Sequence, residues 1–332
     1  MSEPAQGAEA LVAVEDFTER LSTTFDTCYT WSYDSFKVGL RNLYEKAKQN
    51  QWDSATALAW DTDVDPEAEN VPDLNNPLFG TPMWSKFTER EIRKFRREQL
   101  SWSLSQFLHG EQGALLATAQ IVDAVPWMEA KYYGSTQVMD EARHVETYDH
   151  YLREKIQKEY PINPNLKTLL DQILTDSRWD MKYLGMQILV EGLAMAAFGL
   201  MEKFSNEPLL KQLTQYVMRD ESRHVAFGVL SLETYYQELN EREMREREEF
   251  CYEGSRLMRD RLYAEEVWKE MGLPIDETRE IVQSSEIMRE FQKMLFSKIV
   301  PNVKRLGLLS PWLRERFHEL DILKFEHEEP SA

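Results

Sequence analysis

The sequence predicts an all-α fold, a four-helix bundle core with additional N- and C-terminal helices. Three observations carry that expectation. Glycine and proline are sparse, at 13 each in 332 residues, while Leu, Glu, Arg, Met, Gln and Ala fill long stretches at helical spacing. No segment alternates convincingly at period two, as a half-buried strand would. Two long helical hairpins in the middle of the chain carry the same pattern of glutamates and histidines, offset by 80 residues.

Taken in order, residues 1–16 (MSEPAQGAEALVAVED) lack the basic start and continuous apolar run of a signal peptide, and a mobile lead-in is expected there. A first helical region is expected over about 17–59, carrying Leu40, Leu43, Tyr44 and Trp52 and packing on the outside of the bundle. Pro66, Pro72, Pro77, Gly80 and Pro82 interrupt residues 61–84, which predicts a long surface connection. Thr88 followed by Glu91 has the form of a capping box and starts the next helix.

The four bundle helices are expected over about 88–122, 127–158, 177–204 and 208–239. Pro126 marks the first turn, Pro161 and Pro164 the long middle connection, and Ser205, Asn206, Glu207 and Pro208 the last turn. The remainder to 327 reads as helical, with breaks near Gly272-Leu273-Pro274 and Leu309-Ser310-Pro311, and residues 328–332 as a frayed tail. One helical domain over 17–327 is the simplest organisation, with a metal-binding bundle at about 88–239. The most apolar stretch, 184–201, contains Gln187 and Glu191 and is broken by glycine, which fits a buried bundle helix better than a bilayer span.

A net charge of −19 repels phosphate backbones and anionic lipid surfaces, so neither nucleic acid nor membrane is an expected partner. The two cysteines, Cys28 and Cys251, stand far apart with no Cys/His grouping, giving no zinc or disulfide framework and pointing to a reducing, cytoplasmic setting.

The chemistry lies in the repeat. Glu111 precedes the Glu141-Ala142-Arg143-His144 group by 30 residues, and Glu191 precedes Glu221-Ser222-Arg223-His224 by the same 30. In an antiparallel hairpin, residues equidistant from the turn lie side by side, and the midpoints of the two pairs, Pro126 and Asn206, both fall on expected turns. Each hairpin therefore sets a lone glutamate beside a Glu-x-x-His pair whose members share one helical face. The same faces carry Leu104, Phe107 and Leu108, then Val138 and Val145, Leu184 and Ile188, and Leu213 and Val217, so four carboxylates point into the core. Buried facing carboxylates are costly unless cations compensate them. Four Glu and two His match two divalent ions with bridging carboxylates. A lone Glu-x-x-His is commonly a solvated or hydrogen-bonded pair; two of them, each preceded by an apolar-face glutamate at equal spacing, form a metal pattern.

Asp140 and Asp220 are candidate acceptors for the outer nitrogens of the histidines, with Arg143 and Arg223 neutralising them; ordinary surface ion pairing is the alternative. Zinc is disfavoured by the paired carboxylates, whereas two Fe ions or a Mn/Fe pair suit the oxygen-rich set.

LHGEQGALLATAQ with QVMDEARHVETYDHYL resembles the first metal hairpin of the bacterial multicomponent monooxygenase hydroxylases. LVEGLAMAAFGL with RDESRHVAFGV resembles the second half, shared with ligand-binding oxidases similar to ribonucleotide reductase small subunits. Together they resemble the ferritin-like non-haem di-iron oxygenase superfamily over about residues 99–232, and LYEKAKQNQWDSATALAW resembles its lead-in helix. By that resemblance Glu111, Glu141, His144, Glu191, Glu221 and His224 are the metal ligands. Three departures set the chain apart: Met195 where multicomponent hydroxylases carry a threonine, Met186 and Ala114 at the positions of the tyrosine–valine cross-link of the ligand-binding oxidases, and Val217 where arylamine oxygenases place a third histidine. Tyr148, four residues after His144, matches the radical-bearing tyrosine of reductase subunits; a packed core tyrosine is the alternative.

The resulting expectation is an oxygenase that activates dioxygen to hydroxylate or otherwise oxidise a small, partly apolar organic substrate, with Phe107, Ala114, Leu115, Ala194, Met195 and Phe198 as pocket or plain core. A radical-generating or ligand-binding oxidase and a ferroxidase or storage protein are the competing readings. The chain has no Gly-rich phosphate loop and no cysteine cluster, so an external reductase or ferredoxin is expected to supply electrons, and a homodimer is an expected assembly.

Overall fold

The computed structural model describes residues 18–330. Fourteen α-helices are found among them: α1 (Val38–Gln49), α2 (Ser54–Ala57), α3 (Glu89–Ala124), α4 (Met128–Tyr151), α5 (Pro164–Thr175), α6 (Trp179–Tyr183), α7 (Glu191–Phe204), α8 (Pro208–Tyr235), α9 (Glu241–Asp260), α10 (Glu265–Glu270), α11 (Ile275–Ser284), α12 (Glu286–Leu295), α13 (Ile299–Arg305) and α14 (Pro311–Glu319). No strand occurs among the described residues. A stretch of wider π turns, Leu184–Val190, joins α6 to α7, so that Trp179–Phe204 is one continuous rod.

The rod and α3, α4 and α8 form the bundle: α3 packs along α4 and the rod, and α8 along α4 and the rod. The start of α3 is fixed by Thr88, whose side chain accepts from the Glu91 amide while the Glu91 carboxylate accepts from the Thr88 amide. The side chains of Asn163 and Glu207 accept from the first amides of α5 and α8, each followed at once by proline, which needs no partner at the first helical position. The outer grooves are filled by α1 against α4 and α8, by α5 against α3 and α6, and by α12 and α13 against α7 and α8.

The all-α bundle with helices before and after it is the expected fold, and its boundaries differ from expectation in four places. Residues 18–37 are not helical. They are rich in Ser, Thr and aromatic residues, poor helix formers, and this segment instead bonds across the α3–α4 turn, Thr27 Oγ1 to Asp123 and Thr30 Oγ1 to the Pro126 carbonyl. The second bundle helix ends earlier than expected: α4 closes at Tyr151, a single wide turn follows, and Gln157 reverses the chain with φ 58°. The middle connection contains α5, which Pro164 begins rather than prevents. Residues 61–84 are a strap and not only a surface connection, since Leu78, Met83 and Trp84 are buried with Phe95, Val267 and Trp268.

The expected mobile lead-in, residues 1–16, lies outside the described residues, as do the last two residues of the expected frayed tail; 328–330 are exposed and irregular. The rod Trp179–Phe204 is long and apolar enough to cross a membrane. Here its residues 180–193 are buried by protein, which is how the core helix of a bundle meets the same test.

Candidate metal centre

Each of the four bundle helices delivers its share of the repeat to one place. Glu111 comes from α3, Glu141 and His144 from α4, Glu191 from the junction of the π stretch with α7, and Glu221 and His224 from α8. All six are buried. Their ligand atoms form two overlapping groups, each drawn within 4.8 Å: Glu111, Glu141, His144 and Glu221 in one, and Glu141, Glu191 and His224 in the other. The expected side-by-side arrangement is therefore what the fold produces.

Both imidazoles turn Nδ1 toward the carboxylates. His144 Nδ1 lies 3.3 Å from Glu111 Oε2, 3.2 Å from Glu221 Oε1 and 3.5 Å from Glu141 Oε2. His224 Nδ1 lies 3.1 Å from Glu141 Oε1 and 3.5 Å from Glu221 Oε1. These contacts satisfy little. His224 Nδ1, Glu141 Oε2, Glu191 Oε2 and Glu221 Oε1 are buried without a hydrogen-bond partner despite their proximity. Unpartnered lone pairs converging from α4, α7 and α8, with Glu111 of α3 beside them, are the arrangement that divalent cations satisfy, so the donor set fits a pair of metal ions.

Behind the histidines the two halves cross. His144 Nε2 lies 3.2 Å from Asp220 of the second hairpin, and His224 Nε2 lies 3.3 Å from Asp140 of the first. Arg143 donates to Asp140 and, at 3.0 Å, to Asp220. Arg223 donates to Asp220 at 2.6 Å and to Asp140 at 3.3 Å. All four side chains are buried, so this is an internal ring of alternating charge and not surface pairing.

Electrostatics follow from burial. Glu111 is pushed well above the usual carboxylate range by burial and then by the neighbouring Glu221, and Glu191 likewise by burial and Glu221. Burial opposes ionisation of Glu141, yet the close approach of His224 and of His144 outweighs it and holds this group low. Burial also opposes charge on Asp220, and the His144 hydrogen bond and charge, with Arg223, overcome it. Asp140 is lowered against burial, chiefly by His224.

Three participants were not singled out from the sequence. Gln137 Nε2 donates to Glu141 Oε1 and Glu191 Oε1, both at 2.9 Å. It stands one turn before Glu141 on the same face, so helical periodicity could have found it. Trp52 Nε1 donates to Asp220 at 2.6 Å, and Gln51 joins Asp140 at 3.1 Å to Arg143 at 2.8 Å. Trp52 was placed on the outside of the bundle, and nothing local marks either residue, since the contact spans 168 positions.

Tyr148 is fully buried with its hydroxyl unpartnered, and its proton is held well above the usual range by burial and by Glu111 and Glu221. It packs on Phe107 and Phe198, rings 5.9 and 6.4 Å away. Ala194 joins that cluster, Ala114 lies in the larger core, and Leu115 and Met195 are half-buried. A surface recess between Asp63, Arg97, Lys155 and Gln157 includes none of the six centre residues.

No family model matches the chain, and a comparison with curated proteins finds no match. Solved structures do match. A tyrosine-to-phenylalanine variant of an R2-like ligand-binding oxidase with an aerobically reconstituted Mn/Fe cofactor aligns with TM-score 0.53 at 17% identity, over 84% of this chain and 99% of its own. A valine-to-leucine variant of the same kind of oxidase, with an anaerobically reconstituted Mn/Fe cofactor, aligns at TM-score 0.49 and 18% identity over 84% and 99%. At such identities the likeness speaks to architecture. With four helices delivering a duplicated carboxylate–histidine set to one buried point, the chain has the ferritin-like fold that the R2-like ligand-binding oxidases share.

Proposed function

We propose that Glu111, Glu141, His144, Glu191, Glu221 and His224 hold two iron ions, or a Mn/Fe pair, and that the protein is a dioxygen-activating oxidoreductase acting on a small, partly apolar organic compound. The single observation that supports this most is the convergence of six buried ligand side chains from four helices, with unpartnered lone pairs on α4, α7 and α8, in one place. A duplicated, buried set of four carboxylates and two imidazoles is the donor set of bundle dimetal carboxylate sites. Bound there, the ions would supply redox equivalents and open coordination positions for dioxygen.

The chain's own residues do the rest. Asp140 and Asp220 accept from the histidine Nε2 atoms, which fixes the tautomer and leaves each Nδ1 as the donor to a metal. Arg143 and Arg223 lie against both aspartates in the protein interior and complement their charge. Phe107, Phe198, Leu104, Leu108 and Val217 keep the Glu111 side dry, which favours an apolar organic group over water as the reacting neighbour. An external reductase or ferredoxin supplies the electrons.

The test is oxygen uptake by anaerobically reduced, iron-loaded protein, with and without a chemical reductant and a panel of small aromatic and aliphatic compounds. Catalytic uptake coupled to an oxidised organic product is expected. Uptake that stops after the iron has been oxidised once, with no organic product, would indicate a ferroxidase. The burial of Tyr148 beside the centre supports a second reading, an oxidase that stores an oxidising equivalent on the phenol. A tyrosyl signal in electron paramagnetic resonance after oxygen exposure, lost in Tyr148→Phe, is the result that reading requires.

A further inference from the structure

The 80-residue offset lays the second hairpin on the first, and the side chains flanking the centre then fall into pairs of opposite chemistry. Phe107 pairs with Gln187, Phe198 with Thr118, Tyr148 with Gly228, Val217 with Gln137, and Leu213 with Tyr133. The contacts are conserved by the duplication even though the residue types are not. On the Glu111 side, the Phe107 ring sits 4.8 Å from Phe198 and 5.9 Å from Tyr148, and Leu213 and Val217 join the same apolar cluster. On the Glu191 side, Gln187 reaches toward Thr118 Oγ1 at 3.5 Å, and Gly228 gives it room, since a Cβ there would stand 2.7 Å from Gln187 Cβ. Gln137 holds Glu191 Oε1 at 2.9 Å.

This second set is sealed from solvent: Gln137, Gln187, Thr118 and Tyr133 are each 0% exposed. Gln137 Oε1, Gln187 Oε1, Glu191 Oε2 and the Tyr133 hydroxyl have no partner within the protein. Such atoms are costly to leave unsatisfied in a protein interior. Amide oxygens accept only, so what satisfies them must donate, and it must fit a fully enclosed place; water does both.

We propose that Gln137, Gln187, Thr118 and Tyr133 form a hydration pocket that binds ordered water against Glu191, and that Gln137 positions Glu191 by occupying Oε1 and leaving Oε2 for a metal. The two metal positions are thereby made unequal. The Glu191–His224 position is wet and amide-held, and the Glu111–His144 position is walled by apolar side chains, the Tyr148 hydroxyl apart. This deepens the dimetal reading and rests on it. Gln137 is a positioning residue and touches no reacting atom.

The test has two arms that do not depend on turnover. The first is a crystal structure of the Mn(II)-loaded wild-type protein at a resolution that shows ordered solvent. Water within about 3.2 Å of Gln137 Oε1 and Gln187 Oε1 is the expected result, and none among the counterparts Phe107, Phe198 and Val217. The second is anaerobic Mn(II) titration of wild type and of Gln137→Val, which copies the counterpart Val217, with circular dichroism to show that the variant folds. Because Gln137 also donates to Glu141, which belongs to both groups, an unequal loss is expected, about 10–100-fold at one position and smaller at the other, and anomalous scattering should assign the more weakened position to Glu191–His224. If two ions bind but the pocket is dry, or if Gln137→Val leaves both affinities unchanged or weakens both equally, the inference is wrong and the dimetal centre stands. If wild type binds no ion, the reading beneath it fails and this inference with it.

Discussion

At the scale of single residues, each imidazole of the centre is held from behind by an aspartate of the opposite hairpin, His144 by Asp220 and His224 by Asp140. The crossing makes the two halves interdependent, because a change in one aspartate disturbs the histidine of the other repeat. Asp220→Asn keeps the shape but removes the charge that faces Arg143, Arg223 and the Trp52 indole. Metal affinity is expected to fall by about 10–100-fold, measured by competition with a chromophoric chelator, and the effect should fall on the position that uses His144. Tyr148→Phe, by contrast, is expected to leave metal content unchanged, since Tyr148 bonds to none of the six residues. The six were legible in the sequence because equal distance from a turn is a geometric statement that needs no tertiary information. Asp140 and Asp220 were legible as candidates through adjacency to the glutamates, but their crossing was not, since it depends on how the two hairpins dock. Trp52 reaches Asp220 across the bundle, a contact that no local pattern encodes.

At the scale of elements, the helix starts are strongly specified and the helix interiors carry the exceptions. The capping box at Thr88 closes both ways, and Thr88→Ala is expected to cost about 1 kcal/mol in chemical denaturation. The π stretch Leu184–Val190 ends on Glu191 and contains Gln187. Wide turns of this kind often sit at functional sites because they re-aim side chains, and the sequence gives no signal for one beyond its apolar length. The end of α5 is closed by a buried lysine: Lys182 Nζ donates to the carbonyls of Ile173, Leu174 and Asp176 at 3.3, 3.2 and 2.8 Å. Lys182→Met strands those acceptors and is expected to cost about 1–3 kcal/mol at neutral pH.

Burial lowers the Lys182 pKa to about 8, against about 10.4 in an unfolded chain. Between those values the folded protein has lost a proton that the unfolded chain keeps. The stability contributed by this group therefore rises as pH increases through that window and falls again as pH drops back through 8. Denaturant melts of wild type and Lys182→Met at pH 7.5 and pH 10 should show the gap between them widening at the higher pH; a gap that narrows would contradict the assignment. The failure to foresee α5 has a simple cause. Pro164 was read as a breaker, whereas at the first turn of a helix it is a favourable residue.

At the scale of the whole molecule, the bundle encloses a charge problem that a metal pair would resolve. Four glutamates meet in one core, two of them pushed well above their ordinary range by burial and by a neighbouring glutamate, and several ligand atoms lack partners. The fold tolerates this because the surrounding apolar clusters and the Asp/Arg ring hold the helices in place. Binding of cations to the folded state alone stabilises it by mass action, about 2.7 kcal/mol per site at a free concentration of 100 Kd. Removing metal by an anaerobic chelator is therefore expected to lower the melting temperature by several degrees while far-ultraviolet circular dichroism stays helical. The fold class was legible because helical spacing runs nearly the length of the chain. Residues 18–37 misled because a helix was extended backwards through a Ser/Thr-rich segment that finds its hydrogen bonds on the α3–α4 turn instead.

The central claim is that six side chains from duplicated hairpins hold two cations. Its most direct test is elemental analysis of the purified, iron-loaded protein together with anomalous diffraction from its crystals. Two metal peaks are predicted, one beside His144 Nδ1 and one beside His224 Nδ1, with Glu141 within reach of both. A protein that retains no metal after iron loading, or whose only peaks lie away from these histidines, would contradict it.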